Sequence, residues 1–225
     1  MDQTGVTVGS SDTGFCDIFS NPENMYILGL WCADGYHRTS SIGLSNTDEK
    51  LIAVFRDFLL QLFPSDRLRL RIYVPMRNQT LNVGDIKDRL HINHLSVCYL
   101  KKAKSPTIHM YVNCRALLRQ FKKSKLSSDN IIDNDCIWAY FAGRFDGDGS
   151  ISSDGRSDCR IVYGYQDEAE KDLILLNRVG FKNSKIYNYK QAHTYCLYIS
   201  RYEAEVFMRQ IRVYARTQKP VSVTL

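Results

Sequence analysis

Two aspartates have the types and spacing to do chemistry. Asp34 closes the apolar run ILGLWCADG (Ile27 to Gly35), and Asp148 closes FAGRFDGDG (Phe141 to Gly149). Each run reads as a buried helix ending in Asp-Gly, with the glycine suited to a left-handed cap. A carboxylate in the last turn of a helix faces the negative end of the macrodipole and costs about 0.3–1 kcal/mol. Asp-Gly alone is a common turn pair. Two such misplaced acids in a repeated frame point instead to a functional site. Small residues four apart, Gly29 with Ala33 and Gly143 with Gly147, let the two helices approach backbone to backbone. That approach would bring the acids together as oxygen ligands for a hard divalent cation.

The second signal is RLRLRIYV (67–74). Its alternation predicts a strand with Arg67, Arg69, Arg71 and Tyr73 on one face and Leu68, Leu70, Ile72 and Val74 on the other. Three guanidiniums in one row repel each other unless a polyanion lies opposite, and arginine also reads guanine edges bidentately. Charge along the chain agrees. The net charge is +6, but residues 66–125 carry fourteen Lys/Arg against three Asp, residues 1–65 three against eight acids, and residues 126–225 thirteen of each. A basic middle of this size predicts a polyanionic partner.

Elements that would position these residues come in the same order twice. The apolar helix 24–35 is followed by a strand (37–46), an amphipathic helix (47–63) with Thr47 as N-cap, the strand 67–74, a strand pair (96–104 and 107–113) turning at Ser105-Pro106, and a basic helix (114–125). After a linker come the apolar helix 133–149, a hairpin (150–165), a helix (167–180) stopped by Gly180, a hairpin (184–200) and a closing helix (201–215). Asp34 to Tyr111 spans 77 residues and Asp148 to Tyr198 spans 50, so the first copy carries 27 extra, placed within 75–95. Duplication in this order predicts an α/β (α+β) chain of two αββαββα subdomains around a central helix pair. The divisions are an extension (1–22), a first subdomain (23–126), a linker (127–132) and a second subdomain (133–225).

Other function classes recede. No apolar run is long enough to span a membrane, and the polar first twenty residues do not resemble a secretory signal. Seven cysteines with no Cys-x-x-Cys pair predict reduced, mostly buried thiols in an intracellular protein. His91 and His94 read as loop or surface residues.

The two nine-residue runs resemble the motif that names the LAGLIDADG homing endonucleases, the second, in YFAGRFDGDGSIS, most closely. Leu28, Cys32 and Arg144 depart from that motif; Asp34 and Asp148 do not. The resemblance runs from Asn24 onward and implies a single-chain, pseudo-twofold nuclease. It implies Mg²⁺ held at Asp34 and Asp148 beside Ala33 and Gly147, Mn²⁺ able to substitute, and Ca²⁺ supporting binding without cleavage. It implies polar residues near the attacking water, for which Asn46 and Gln166 fit best, and a lysine after the last helix, Lys219, with Lys125 as counterpart. Saddle-shaped sheets would contact the major groove through His37, Arg38, Ser41, Arg67, Arg69, Arg71 and Tyr73 in the first half. In the second half the contacts would be Arg156, Arg160, Tyr163, Lys185, Asn188, Lys190 and Gln191. The expected activity is a staggered double-strand cut leaving 5′ phosphates. The expected partner is a duplex of about twenty base pairs, bound by a monomer with strong salt dependence. An intron RNA maturase and a non-catalytic DNA-binding regulator are the alternatives on this fold.

Overall fold

The computed structural model describes residues 18–36, 40–76, 82–152 and 158–217. At its centre two helices lie against each other, α1 (Pro22–Asp34) and α5 (Asn134–Asp148). Asn21 caps the first through its side chain, with Pro22 at the first helical position, and Asp133 caps the second. Both helices are apolar around most of their circumference, because each is covered by its partner and by its own half. Every residue from Met25 to Cys32 is buried. The glycines set the approach: a Cβ at Gly29 would sit 2.0 Å from the Tyr140 carbonyl oxygen, and one at Gly143 would sit 2.1 Å from that of Tyr26.

The second half is built from α5, β5 (Gly149–Ile151), β6 (Cys159–Tyr163), α6 (Gln166–Arg178), β7 (Lys185–Tyr189), β8 (Thr194–Ile199) and α7 (Arg201–Arg212). Its sheet runs β5-β6-β8-β7, all antiparallel. Gly180, with φ of 101°, turns the chain out of α6 as expected.

The first half contains α1, β1 (Ser41–Asn46), α2 (Glu49–Leu62), β2 (Arg69–Pro75), α3 (Val83–Leu90), β3 (His94–Leu100), β4 (Thr107–Asn113) and α4 (Arg115–Leu126). Its sheet order is β1-β4-β2-β3. Here the expected β3–β4 pair is corrected. The two strands are not neighbours: β2 lies between them, antiparallel to β4 and parallel to β3. A parallel neighbour needs a crossover, and α3 supplies it, burying Ile86 and Leu90. Register locates the extra chain. Gly35–Leu44–Met110 in one half matches Gly149–Ile161–Leu197 in the other, which aligns Arg69 with Lys185 and Tyr111 with Tyr198. Arg69 to Tyr111 spans 42 residues where Lys185 to Tyr198 spans 13. The insertion is therefore the segment holding α3 and β3, reaching further along the chain than 75–95.

Two smaller corrections concern helix ends. The N-cap of α2 is Asp48, whose side chain accepts from Lys50 N, and not Thr47. Gly35 and Gly149 are extended (φ −70° and −79°), not left-handed. What they supply is space: a Cβ would lie 2.2 Å from the Trp31 carbonyl oxygen at Gly35 and 2.3 Å from the Phe145 ring at Gly149. Among the described residues no helix is long and apolar enough to cross a membrane, and the six described cysteines are free thiols.

Candidate active site and nucleic-acid face

The helix pair brings the two motif ends together. A Cβ on Gly147 would sit 2.4 Å from the Ala33 Cβ and 3.0 Å from Asp34 Oδ2, so the Asp34 carboxylate lies over the backbone just before Asp148. The first strand after the motif completes this corner. Gly35 bridges to Leu44, which carries Asn46, two residues on, back toward the helix end. Asn46 Nδ2 donates to Asp34 Oδ2 at 2.7 Å, and Asn46 Oδ1 accepts from the backbone N–H of Asp48 at 2.7 Å. One amide is thus fixed by the cap of α2 and in turn fixes the carboxylate.

The matching position in the second half is Tyr163, not Gln166, since Leu44 aligns with Ile161. Gln166 lies three residues further on, where it donates to Glu170. Tyr163, expected on the DNA face, is 2% exposed and points inward. Its hydroxyl donates to Asp172 Oδ2 at 2.8 Å. The same carboxylate accepts from Tyr140 at 3.0 Å and from Arg144 Nε at 3.0 Å, and Arg144 stacks on the Tyr163 ring at 4.3 Å. Burial raises the Asp172 carboxyl, with Arg144 opposing, and burial also holds both tyrosines well above their ordinary range. In the first half the positions of Arg144 and Asp172 are taken by Leu30 and Phe55, both buried. The motif departure at Arg144 is therefore one end of a buried ion pair where the first half has two buried apolar residues.

Lys125, the expected counterpart of Lys219, is engaged in an ion pair. Its ammonium pairs with Glu168 at 2.8 Å, and Glu168 also faces Arg144 at 3.6 Å. The lysine ties α4 of the first half to α6 of the second. Asp146, at the motif position that Cys32 occupies in the other copy, accepts from the Tyr26 hydroxyl at 2.7 Å and from the backbone N–H of Arg216 at 2.7 Å. It also takes the Thr217 hydroxyl. The chain leaving α7 is thereby held beside the helix pair. Lys219, like His37, Arg38 and Arg156, lies outside the described residues.

The outer face of the first sheet can be read row by row from its register. One row is Gly43–Tyr111–Arg69–His94 and the next is Ser45–His109–Arg71–Ser96. Leu70, Ile72 and Val74 point to the core, as the alternation requires. Arg69 and Arg71 thus lie side by side on a polar face, with Tyr73 following. Arg71 also reaches Ser96 Oγ at 3.4 Å and lies 5.6 Å from the Tyr111 ring centroid. His109, which sequence reasoning did not single out, sits in this face with Nδ1 2.6 Å from Ser45 Oγ, between the rings of Tyr36 and Tyr111. Burial, and then the Arg71 charge, lower its pKa to about 4, so it is neutral at physiological pH. The alternation of Thr107, His109, Tyr111 and Asn113 was the available signal.

Two first-half candidates are displaced. Ser41 is buried, at 7% exposure. Arg67 precedes β2 in a 3-10 turn, where it stays exposed, lies 4.9 Å from the Phe63 ring centroid and donates to the Asn113 carbonyl. In the second half Arg160 and Lys185 flank Tyr198 on the outer face. Arg160 is paired with the buried Asp158 at 2.7 Å. Asn188 falls on the opposite face, because period two puts it with Ile186, while Lys190 and Gln191 sit exposed in the turn between β7 and β8. Val162, Tyr187 and Tyr189 make this face more apolar than its counterpart.

The donor set at the helix ends suits one kind of metal. Among the described residues no three His, Cys, Asp or Glu cluster, so a closed protein cage is absent. Two carboxylates with a fixed amide beside them suit Mg²⁺, which keeps several waters and shares its shell with a substrate phosphate.

Residues 21–123 match the model of the LAGLIDADG-like domain. No curated protein matches the chain by sequence. Among solved structures the chain is similar to I-DmoI in complex with DNA and Mn, at 16% identity and a TM-score of 0.56 over 84% of this chain and 96% of that one. It is similar to the homing endonuclease I-WcaI bound to its DNA recognition sequence, at 15% identity and 0.52 over 86% and 82%. It is also similar to the N-terminal LAGLIDADG domain of DUF199/WhiA, at 16% and 0.53 over 86% and 84%. The family match covers less than half of the chain, and the chain as a whole has the LAGLIDADG fold seen in these structures.

Proposed function

We propose that this chain is a site-specific, Mg²⁺-dependent endonuclease of double-stranded DNA, acting as a monomer in intron homing. The observation that carries the reading is the pairing of two acid-terminated helices at backbone contact, with Asp34 held by Asn46 and set over Gly147. Solved relatives of this fold are bound to DNA, with Mn, Mg or Ca in individual structures of I-DmoI. Asp34 and Asp148 would hold the metal. Held there, it would supply Lewis-acid polarisation of the scissile phosphate and charge compensation at the departing oxygen.

The chain's own groups do the remainder. Asn46 keeps the Asp34 carboxylate in one orientation, and its second amide hydrogen is left for water or phosphate. Water adds to phosphorus, the bond to O3′ breaks, and a proton ends on that oxygen, giving a 5′ phosphate and a 3′ hydroxyl. A cut on each strand across the minor groove gives staggered ends. Arg69 and Arg71 supply the phosphate and base contacts that fix register. The DNA must bend over two sheets, so flexible central steps are favoured.

The test is cleavage of a randomised duplex library in Mg²⁺, with parallel binding in Ca²⁺, for the natural chain and the double variant D34N/D148N. Cleavage by the natural chain alone, with binding kept by both, supports the reading. Equal cleavage by the variant refutes the assignment of the acids. Binding without cleavage by the natural chain is the result expected of a DNA-binding regulator, the role open to a non-catalytic copy of the fold. Preferential binding of the host intron RNA over duplex DNA is the result expected of a maturase.

A further inference from the structure

The inserted segment α3–β3 changes the shape of the outer face, and only on one side. Each sheet has an inner edge tied to a motif glycine: Gly35 bridges to β1, and β5 begins at Gly149. Distance from the pseudo-twofold centre therefore increases strand by strand. Counted from the motif glycine, the second half ends at β7. The first half continues past β2, the partner of β7 in register, to β3. The first half thus reaches one strand further out, about 4.8 Å.

On this face β3 presents His94 and Ser96, then Cys98 and the exposed Leu100, and a basic turn follows. His94 and Ser96 extend the rows of Arg69 and Arg71 on the same face, and both are exposed. The strand then runs into KKAKS (101–105), where Lys101, Lys102 and Lys104 are all exposed and have no ion-pair partner among the described residues. This turn lies at the Asn46 end of the sheet, since Asn46 pairs with Ile108 and Tyr73 pairs with Thr107, the first residue of β4. Three ammonium groups at an outer corner repel one another, and a phosphate backbone relieves that cost. Among the described residues the second half has no equivalent, and its sheet ends at β7.

Resting on the nuclease reading above, we propose that α3–β3 is a flank reader. His94 and Ser96 face the DNA beyond the reach of Arg69 and Arg71, and Lys101, Lys102 and Lys104 grip the phosphates of that flank. The bound site is then asymmetric. One strand spacing against 3.4 Å per base pair adds one to two base pairs, about 1.4 by ratio, on the first-half side only.

Two measurements test this. The first titrates a fluorescent duplex of about forty base pairs and mixed sequence with the natural chain and with K101A/K102A/K104A, in Ca²⁺, from 50 to 200 mM salt. Each lost phosphate contact removes about 0.9 from the slope of log K against log salt, so the triple variant should lose about 2.7. That corresponds to a natural-to-variant affinity ratio about forty-fold larger at 50 mM than at 200 mM salt. The second trims the selected target one base pair at a time from either end. One flank should be needed one to two base pairs further from the centre than the other, and H94A/S96A should abolish that difference while cleavage at the centre persists. All substituted residues are exposed, so folding is spared. An unchanged salt slope, or equal flank requirements on both sides, overturns the inference. If the natural chain binds no duplex at all, the nuclease reading fails instead, and the two failures are distinct.

Discussion

Replacing Arg144 by leucine tests whether the buried ion pair holds the second half together. The first half fills the same place with Leu30 and Phe55, so leucine fits the volume. R144L, however, strands Asp172, which is 1% exposed and would keep only the two tyrosine hydroxyls. Removing one partner of a buried pair costs about 3–5 kcal/mol. For a chain of this size each kcal/mol moves the melting temperature by roughly 2–4 °C, so a fall on the order of 10 °C is expected at pH 7.5. The pH dependence carries a definite sign. Burial already raises the Asp172 pKa, and Arg144 is the largest opposing influence, so its loss raises the pKa further. A carboxyl whose folded pKa is raised contributes stability that is fully present below its unfolded value and lost as pH rises through the folded one. The penalty of R144L relative to the natural chain should therefore shrink as pH falls from 7.5 toward 5. The companion R144L/D172F rebuilds the first-half pair and should recover most of the loss. Urea unfolding of the three variants at both pH values measures this. If R144L lies within about 1 kcal/mol of the natural chain at pH 7.5, or the double variant is no better than the single one, the pair does not carry that weight.

Other expectations follow from single contacts. D34N and D148N, made singly, should each abolish double-strand cleavage in a plasmid gel assay while Ca²⁺-dependent binding is kept, since the amide retains shape but loses the charge that attracts Mg²⁺; normal two-strand cutting by either would remove it as a ligand. N46A should lower the cleavage rate of one strand by ten-fold or more, since a lost hydrogen bond to a charged group costs about 1.5–3 kcal/mol, with binding unchanged. Strand-labelled gels would show this, and equal slowing of both strands would contradict a local role. G143A pushes a methyl into the Tyr26 carbonyl, from 2.1 Å, and backbone cannot yield as a side chain does. It should cost about 1–3 kcal/mol or more in a melt, and a silent substitution would mean the helices are not in backbone contact. R69A should reduce the salt slope by about 0.9 if the guanidinium holds phosphate, or relax one base position by about 1–3 kcal/mol if it reads an edge.

The parts of this molecule that were readable in its sequence are those set by short-range patterns. Asp34 and Asp148 were visible because each breaks a local rule, an acid at the wrong end of an apolar helix. The smooth stripe of Gly29, Gly143 and Gly147 was visible from spacing alone. The rows of Arg69 and Arg71 followed from period two. What escaped depended on contacts between distant residues. Arg144 was conspicuous in the motif, but its partner Asp172 lies a helix and a hairpin away, and only packing pairs them. Lys125 had the right charge after the right helix, yet Glu168 takes it, 43 positions later. A strand of five residues, CRIVY, alternates equally well in either phase, so its sequence alone does not turn Tyr163 inward. The inserted β3 misled for a related reason: adjacency in sequence suggests a hairpin with β4, and nothing local encodes that β2 has already filled the space between them.

Asymmetry is the thread linking these misses. The two halves keep the same helix pair, the same register from motif glycine to last strand, and the same placement of an acid at each helix end. They differ where duplication no longer constrains them. One half surrounds its motif with an apolar pair and an amide that holds the acid. The other uses a buried ion pair and turns the equivalent residue, Tyr163, away from the acid. One outer face is basic and one strand wider; the other is shorter and carries exposed aromatics. A symmetric dimer could make none of these changes singly, because every substitution would appear twice and leave both half-sites alike. Fusing the halves into one chain removes that restriction. The shared core remains fixed by backbone-to-backbone contact at Gly29 and Gly143, which tolerates no side chain, while the faces and the surroundings of each acid are free to differ.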